Sequence, residues 1–169
     1  LKKLHQLVPA DQIDNDIVND VLIVDDPRLG APQSRIYLGR KDQQPVAAVI
    51  TSVAPDGYSG KIDLLIAIKT DGAIAGVRIV SHRETPGLGD KIDEDKSDWI
   101  LGFNGKSLGN PAAARWKVKR DGGDFDQFTG ATITPRAIVK ATANALAFFQ
   151  ENHTQLFVKT APANGDKKP

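Results

Sequence analysis

Apolar residues along this chain follow two patterns. Between residues 34 and 81 they form short, dense runs of Ile, Leu, Val and Ala broken by polar turns, and from 134 to 152 they recur at helical spacing. Ser34–Arg40 and Val46–Val53 read as extended segments separated by K-D-Q-Q-P. A turn signal, P-D-G-Y-S-G, follows, and then Lys61–Lys69 and Ala73–Ser81. The T-D-G between the last two predicts a hairpin, because Asp-Gly supplies the positive φ that a tight turn needs. These runs lack strict in-and-out alternation. Strands of that kind are covered on both faces, so helices must do part of the covering.

Elsewhere the pattern is sparser. Residues 10–18 predict a short amphipathic helix with Ile13, Ile17 and Val18 on its buried side, and Val21–Val24 a short strand. Residues 95–101 suggest a short helix carrying Trp99. Trp116 and Val118 fit a short strand that the D-G-G-D run at 121–124 breaks. The last helix is the clearest element: Thr134 suits its N-cap and Pro135 its first helical position, where no amide donor is needed. Ile138, Ala141, Ala145 and Phe149 form its buried stripe, Val139, Leu146 and Phe148 widen it, and the pattern ends near Asn152. Strands first and a helix last, without βα alternation, predict an α+β fold. We expect one domain over residues 1–158, a mostly antiparallel curved sheet covered by helices, and a tail at 159–169 with the composition of a disordered segment.

Composition narrows the chemistry. The 22 basic and 21 acidic residues leave a net charge of +1, which argues against nucleic acid or an anionic membrane surface as a chain-wide partner. With no cysteine, the chain forms no disulfide and no thiolate metal or iron–sulfur site, and the compartment stays open. The sequence starts at Leu1 and has no methionine, which predicts a processed or partial chain. No run of about 18 apolar residues occurs. Charge is segregated locally: Lys106 to Arg120 holds five basic residues and no acidic one, and 84–98 is mostly acidic. Such runs usually make solvated faces. His5, His82 and His153 are too scattered for a metal site. No P-loop, G-x-G-x-x-G or Ser/His/Asp set is present, so no residue is nominated as catalytic and none as a metal ligand.

The most unusual stretch is D-Q-F-T-G-A-T-I-T at 126–134, directly before the last helix. Local physics allows two readings. The threonines can serve only as a helix entry. Alternatively the free amides and positive dipole end of the helix attract an anion, phosphate above all. Gly130 lets backbone approach a ligand and Ala131 adds almost no bulk. A phosphate there can bind non-covalently or be esterified to a threonine.

The pattern D-x-x-T-G-A-T, at Asp126, Thr129, Gly130, Ala131 and Thr132, resembles the flavinylation motif of the covalent FMN-binding domain family. Thr129 stands where serine is frequent, which preserves the hydroxyl. His82-Arg83-Glu84-Thr85-Pro86-Gly87-Leu88-Gly89 resembles the E-T-P-G-L-G loop of the same family. Within it the pair is most similar to the G subunits of Rnf electron-transport complexes. The C subunits of sodium-pumping NADH:quinone reductases are near relatives. The resemblance covers roughly residues 10–150. It implies FMN carried covalently through its phosphate on Thr132, placed there from FAD by a flavin transferase. It also implies partner subunits in a membrane electron-transport complex. Further, it implies an N-terminal membrane helix, missing here, with this domain on the periplasmic side of a bacterial inner membrane. Thr129 and Thr134 become candidates to bind phosphate oxygens, and Gly130 and Ala131 to keep the loop thin. Gly87 and Gly89 would permit close approach, Leu88 would pack on the ring, and Glu84 and Thr85 would reach the ring edge or ribityl chain. A salt bridge from Glu84 to Arg83 or Lys91 is the purely structural alternative. Trp99 or Trp116 near the ring would stack on it or quench it. Two other functions compete: a non-redox ligand-binding or assembly domain, and an enzyme holding FMN non-covalently.

Overall fold

The computed structural model describes residues 2–159. Five strands run in chain order across one antiparallel sheet: β1 (Val21–Val24), β2 (Ser34–Lys41), β3 (Gln44–Gly57), β4 (Gly60–Lys69) and β5 (Ile74–Ser81). Register shifts at Gly39/Arg40, Ala54/Gly57, Asp63/Leu64 and Ala67/Ile68 interrupt the ladders, and irregularities of this kind bend and twist a sheet. The α+β expectation holds. β2 and β3 run further than the sequence suggested. They join through Asp42 and Gln43, both at positive φ (52° and 67°), and without glycine that turn gives little signal.

Both faces of the sheet are covered, which accounts for its continuous apolar runs. On one face Ala48 and Ile50 of β3 and Leu64, Ile66 and Ile68 of β4 pack with Ile138, Ala145 and Phe149 of α2 (Ile133–Lys159). On the other, Val49, Leu65 and Ala67 meet Leu4 and Leu7 of α1 (Lys2–Leu7) together with Val8, Ile13 and Ile17.

Several expectations change. The helix expected over 10–18 is instead two single 3₁₀ turns, Ala10–Gln12 and Ile17–Asn19. Ile13 and Ile17 are buried, but Val18 is exposed; with the chain extended between the turns, helical spacing no longer places all three on one side. Trp99 opens a 3₁₀ helix, Trp99–Phe103. Trp116 and Val118 lie on no strand. Val118 makes a lone parallel bridge with Phe125, and a 3₁₀ turn at Lys119–Asp121 ends the extended backbone before a ladder can grow. Both tryptophans join a cluster with Phe103, Phe125 and Phe128, with centroid distances from 4.8 to 6.2 Å. α2 begins one residue before the expected cap and continues past Asn152 because Leu156 and Phe157 still reach the core. Apart from Lys159, which ends α2, the expected tail at 159–169 lies outside the described residues.

Candidate functional site

The two sequence motifs, separated by 36 residues, meet at the N-terminal end of α2. The attachment loop is a tight turn. Ala131 N donates to Phe128 O at 3.1 Å, and Gly130, third of the four residues, takes φ +78°, the value a type II turn requires at that place. Phe128 is buried and packs edge-on against Trp99 at 5.2 Å. The Trp99 indole N–H donates to Asp126 O at 2.9 Å. These contacts anchor the base of the loop and leave Thr129 and Gly130 exposed at its tip.

From the other motif, Leu88 lies against this tip: a Cβ built on Gly130 would stand 3.7 Å from Leu88 Cδ2. Gly89 is buried, and a Cβ there would come within 2.7 Å of Thr134 Oγ1 and 2.9 Å of Glu84 Cβ. Glycine is what lets the two motifs close on each other.

The result is a cleft of about 370 Å³, within the usual range for small-molecule sites. It is lined by Thr85, Leu88, Gly89, Gly130, Ala131, Thr132 and Thr134, joined by Tyr58 and Ile133. None of the nine is charged. Of the expected residues, Thr129 and Gly87 stand beside the cleft rather than in its lining, and Glu84 lies behind it. Trp99 and Trp116 are not in the lining. Tyr58 and Ile133 were not anticipated. The only signal for Tyr58 was an aromatic residue inside a turn sequence, P-D-G-Y-S-G.

Thr132 is half-buried, outside the core, and its carbonyl accepts the first helical bond, from Arg136 N at 3.2 Å. Its hydroxyl has no hydrogen-bond partner among the described residues. The same holds for the amides of Thr132, Ile133 and Thr134. The first turn of α2 carries no acidic residue. A helix of 27 residues thus turns free donors and the positive end of its dipole toward the cleft.

Thr134 does not cap the helix through its side chain. It lies inside α2, 1 % exposed, and its hydroxyl donates to Glu84 Oε1 at 2.5 Å. Glu84, 4 % exposed, forms no salt bridge with Arg83 or Lys91. Its two oxygens accept the amides of Tyr58 and Ser59, each at 2.9 Å. The Glu84 amide in turn donates to His82 Nδ1 at 3.0 Å, and His82 Nε2 faces Asp93 at 3.3 Å. His82 therefore belongs to the support of this loop.

Ion pairs brace the surroundings. Arg136 of α2 pairs with Asp121 at 2.7 Å, an interaction that lowers the Asp121 pKa and raises that of Arg136. Lys119 pairs with Asp126 at 2.8 Å, and the carboxylate raises the lysine pKa. Both pairs are largely in solvent and steady the loop more than they stabilise the fold. They engage Arg136 and Lys119, two of the three basic residues nearest the motif in sequence; the third is Arg120.

The sequence model of the FMN-binding domain family matches residues 57–147, a span that includes both motifs and Tyr58. The chain is 45 % identical over 167 residues to the G subunit of the ion-translocating oxidoreductase complex of Vibrio atlanticus, covering 98 % of this chain and 80 % of the relative. It is 53 % identical over 155 residues to the protein of the same name from Yersinia pestis, covering 90 % and 74 %. Among solved structures, NqrC of Shewanella oneidensis superposes with a TM-score of 0.57 at 23 % identity, over 82 % of this chain and 69 % of that one. That similarity supports the fold.

Proposed function

This chain belongs to the FMN-binding domain family, and from that premise we propose that it is an electron-carrying flavoprotein subunit of an ion-translocating membrane oxidoreductase complex, with FMN held by a phosphoester on Thr132. The observation that carries this reading is the meeting of both motifs on one cleft, with the unpartnered Thr132 hydroxyl in its lining. The relatives named as complex subunits support the setting. Other subunits as partners, a flavin transferase for maturation and a place on the periplasmic side of the membrane belong to the same proposal. No described helix is long and apolar enough to cross a membrane.

The residues fit the group. The free amides at the start of α2 suit the phosphate, and the exposed apolar side chains of Tyr58, Leu88 and Ile133 suit a flat ring. Attachment forms a P–O bond to Thr132 Oγ1 and breaks the pyrophosphate bond of FAD; AMP departs and the hydroxyl proton is lost. FMN, once held, supplies one- and two-electron transfer. The chain supplies position. Gly130 keeps the loop thin enough for a modifying enzyme to reach Thr132. The Phe128–Trp99 contact fixes the base of the loop, and the uncharged lining leaves the ring in a weakly polar setting.

The lack of charge in the cleft favours the covalent reading over non-covalent binding of FMN. Without Lys or Arg among the lining residues, amides and hydroxyls alone would have to retain a phosphate against dilution. The test is simple. In protein produced with a flavin transferase, acid precipitation should leave the yellow colour in the pellet, and Thr132→Ala should give a folded, colourless protein. Flavin released into the supernatant would support the non-covalent alternative.

A further inference from the structure

Tyr58 has no part in packing the domain. It is 69 % exposed and sits with Ser59 in the two-residue turn between β3 and β4, closed by the Gly57–Gly60 pair. A large ring left in water at a turn gives up the burial that aromatic residues normally contribute. Yet the backbone under it is tightly held. The Tyr58 and Ser59 amides, free in most turns to bond water, each donate to a different oxygen of Glu84. Glu84 is almost fully buried, and its Oε1 also takes the Thr134 hydroxyl. One buried carboxylate therefore ties the turn bearing Tyr58 to the helix that follows Thr132. The other large exposed apolar groups lining the cleft, Leu88 (40 %) and Ile133 (43 %), come from the two remaining segments. Among the described residues Tyr58 is the only aromatic side chain in the lining, since Trp99 and Trp116 are committed to the cluster under the loop.

We infer that Tyr58 is the aromatic face on which the ring of a flavin attached at Thr132 stacks, and that Glu84 is the positioning residue that holds it there. The inference rests on the function proposed above and adds a specific ring contact. Glu84 need not touch the cofactor: it acts through the amides of residues 58 and 59.

The test uses protein produced with a flavin transferase, with loading read from intact mass before any optical measurement. A stacked tyrosine quenches flavin fluorescence, so Tyr58→Leu should raise the emission severalfold at unchanged loading, while Tyr58→Trp should keep it dark. The exposure of Tyr58 makes both variants safe for folding. In Glu84→Gln one acceptor oxygen becomes an amide donor facing a backbone donor. Hydrogen exchange at the amides of residues 58 and 59 should then accelerate, and the emission should rise toward that of Tyr58→Leu. A fully loaded Tyr58→Leu protein with wild-type emission and visible spectrum would overturn the stacking. Wild-type exchange and emission in Glu84→Gln would overturn the positioning role. Wild-type protein that carries no flavin by mass would instead sink the attachment at Thr132. The exchange measurement needs no flavin and separates the two failures.

Discussion

At the level of single residues, the site depends on close approach more than on charge. Gly89 shows this best: a methyl group there would stand 2.7 Å from Thr134 Oγ1 and 2.9 Å from Glu84 Cβ, inside contact distance. Gly89→Ala should therefore separate the 84–89 loop from α2, costing roughly 1–3 kcal/mol by overpacking, and should reduce flavin loading. Urea unfolding and intact mass would check the two effects, and an unchanged midpoint would mean that the loops tolerate separation. Much of this was legible in the sequence. The T-G-A-T and E-T-P-G-L-G stretches named six of the nine residues that line the cleft, and the helix entry just after them named Thr134. The role of Glu84 was not legible. Its partners lie 25, 26 and 50 positions away, and local patterning carries no information about a carboxylate bonded to a distant turn. Tyr58 was missed for the same reason: a turn sequence reports backbone shape, not which cavity the turn faces.

Among the elements, α2 and the sheet interior carry most of the stability. Ile138 is fully buried between α2 and the sheet. Ile138→Ala should cost about 2–5 kcal/mol, measurable as a lower urea midpoint at unchanged slope; a cost well below that range would place Ile138 at a loose point of the core. The long strands and α2 were readable because each repeats its pattern over several turns or several pairs. The short elements were not. Two 3₁₀ turns stand where a helix over 10–18 was expected, and three residues per turn leave too few positions to establish a period. α1 packs only Leu4 and Leu7 onto the second face, which is too little for a periodic signal.

For the whole molecule, the connection between β1 and β2 is tied to α2 by charge as well as by burial. Arg28 bonds Asp26 in two places, at 3.0 and 2.8 Å, reaches Glu151 of α2 at 2.9 Å and lies over the Phe148 ring. The arginine lowers the Asp26 pKa below its ordinary 3.8. A carboxyl depressed in the folded state stabilises the fold fully above its unfolded pKa, and that contribution fades as pH falls through the folded value. Stability should therefore decline on acidification below about pH 4, and Asp26→Asn should weaken this dependence; identical acid-unfolding profiles for the two proteins would remove Asp26 as a source. The overall class was readable because strands precede one long helix and the strands are apolar on both faces. That the N-terminal segment covers the second face was not, since its contacts are long-range. The central claim concerns one oxygen atom, and peptide mass spectrometry tests it directly on protein produced with a flavin transferase. The peptide spanning residue 132 should carry the mass of FMN less one water, with fragmentation placing it on Thr132. An unmodified peptide, or FMN on Thr129 or Thr134, would contradict the account.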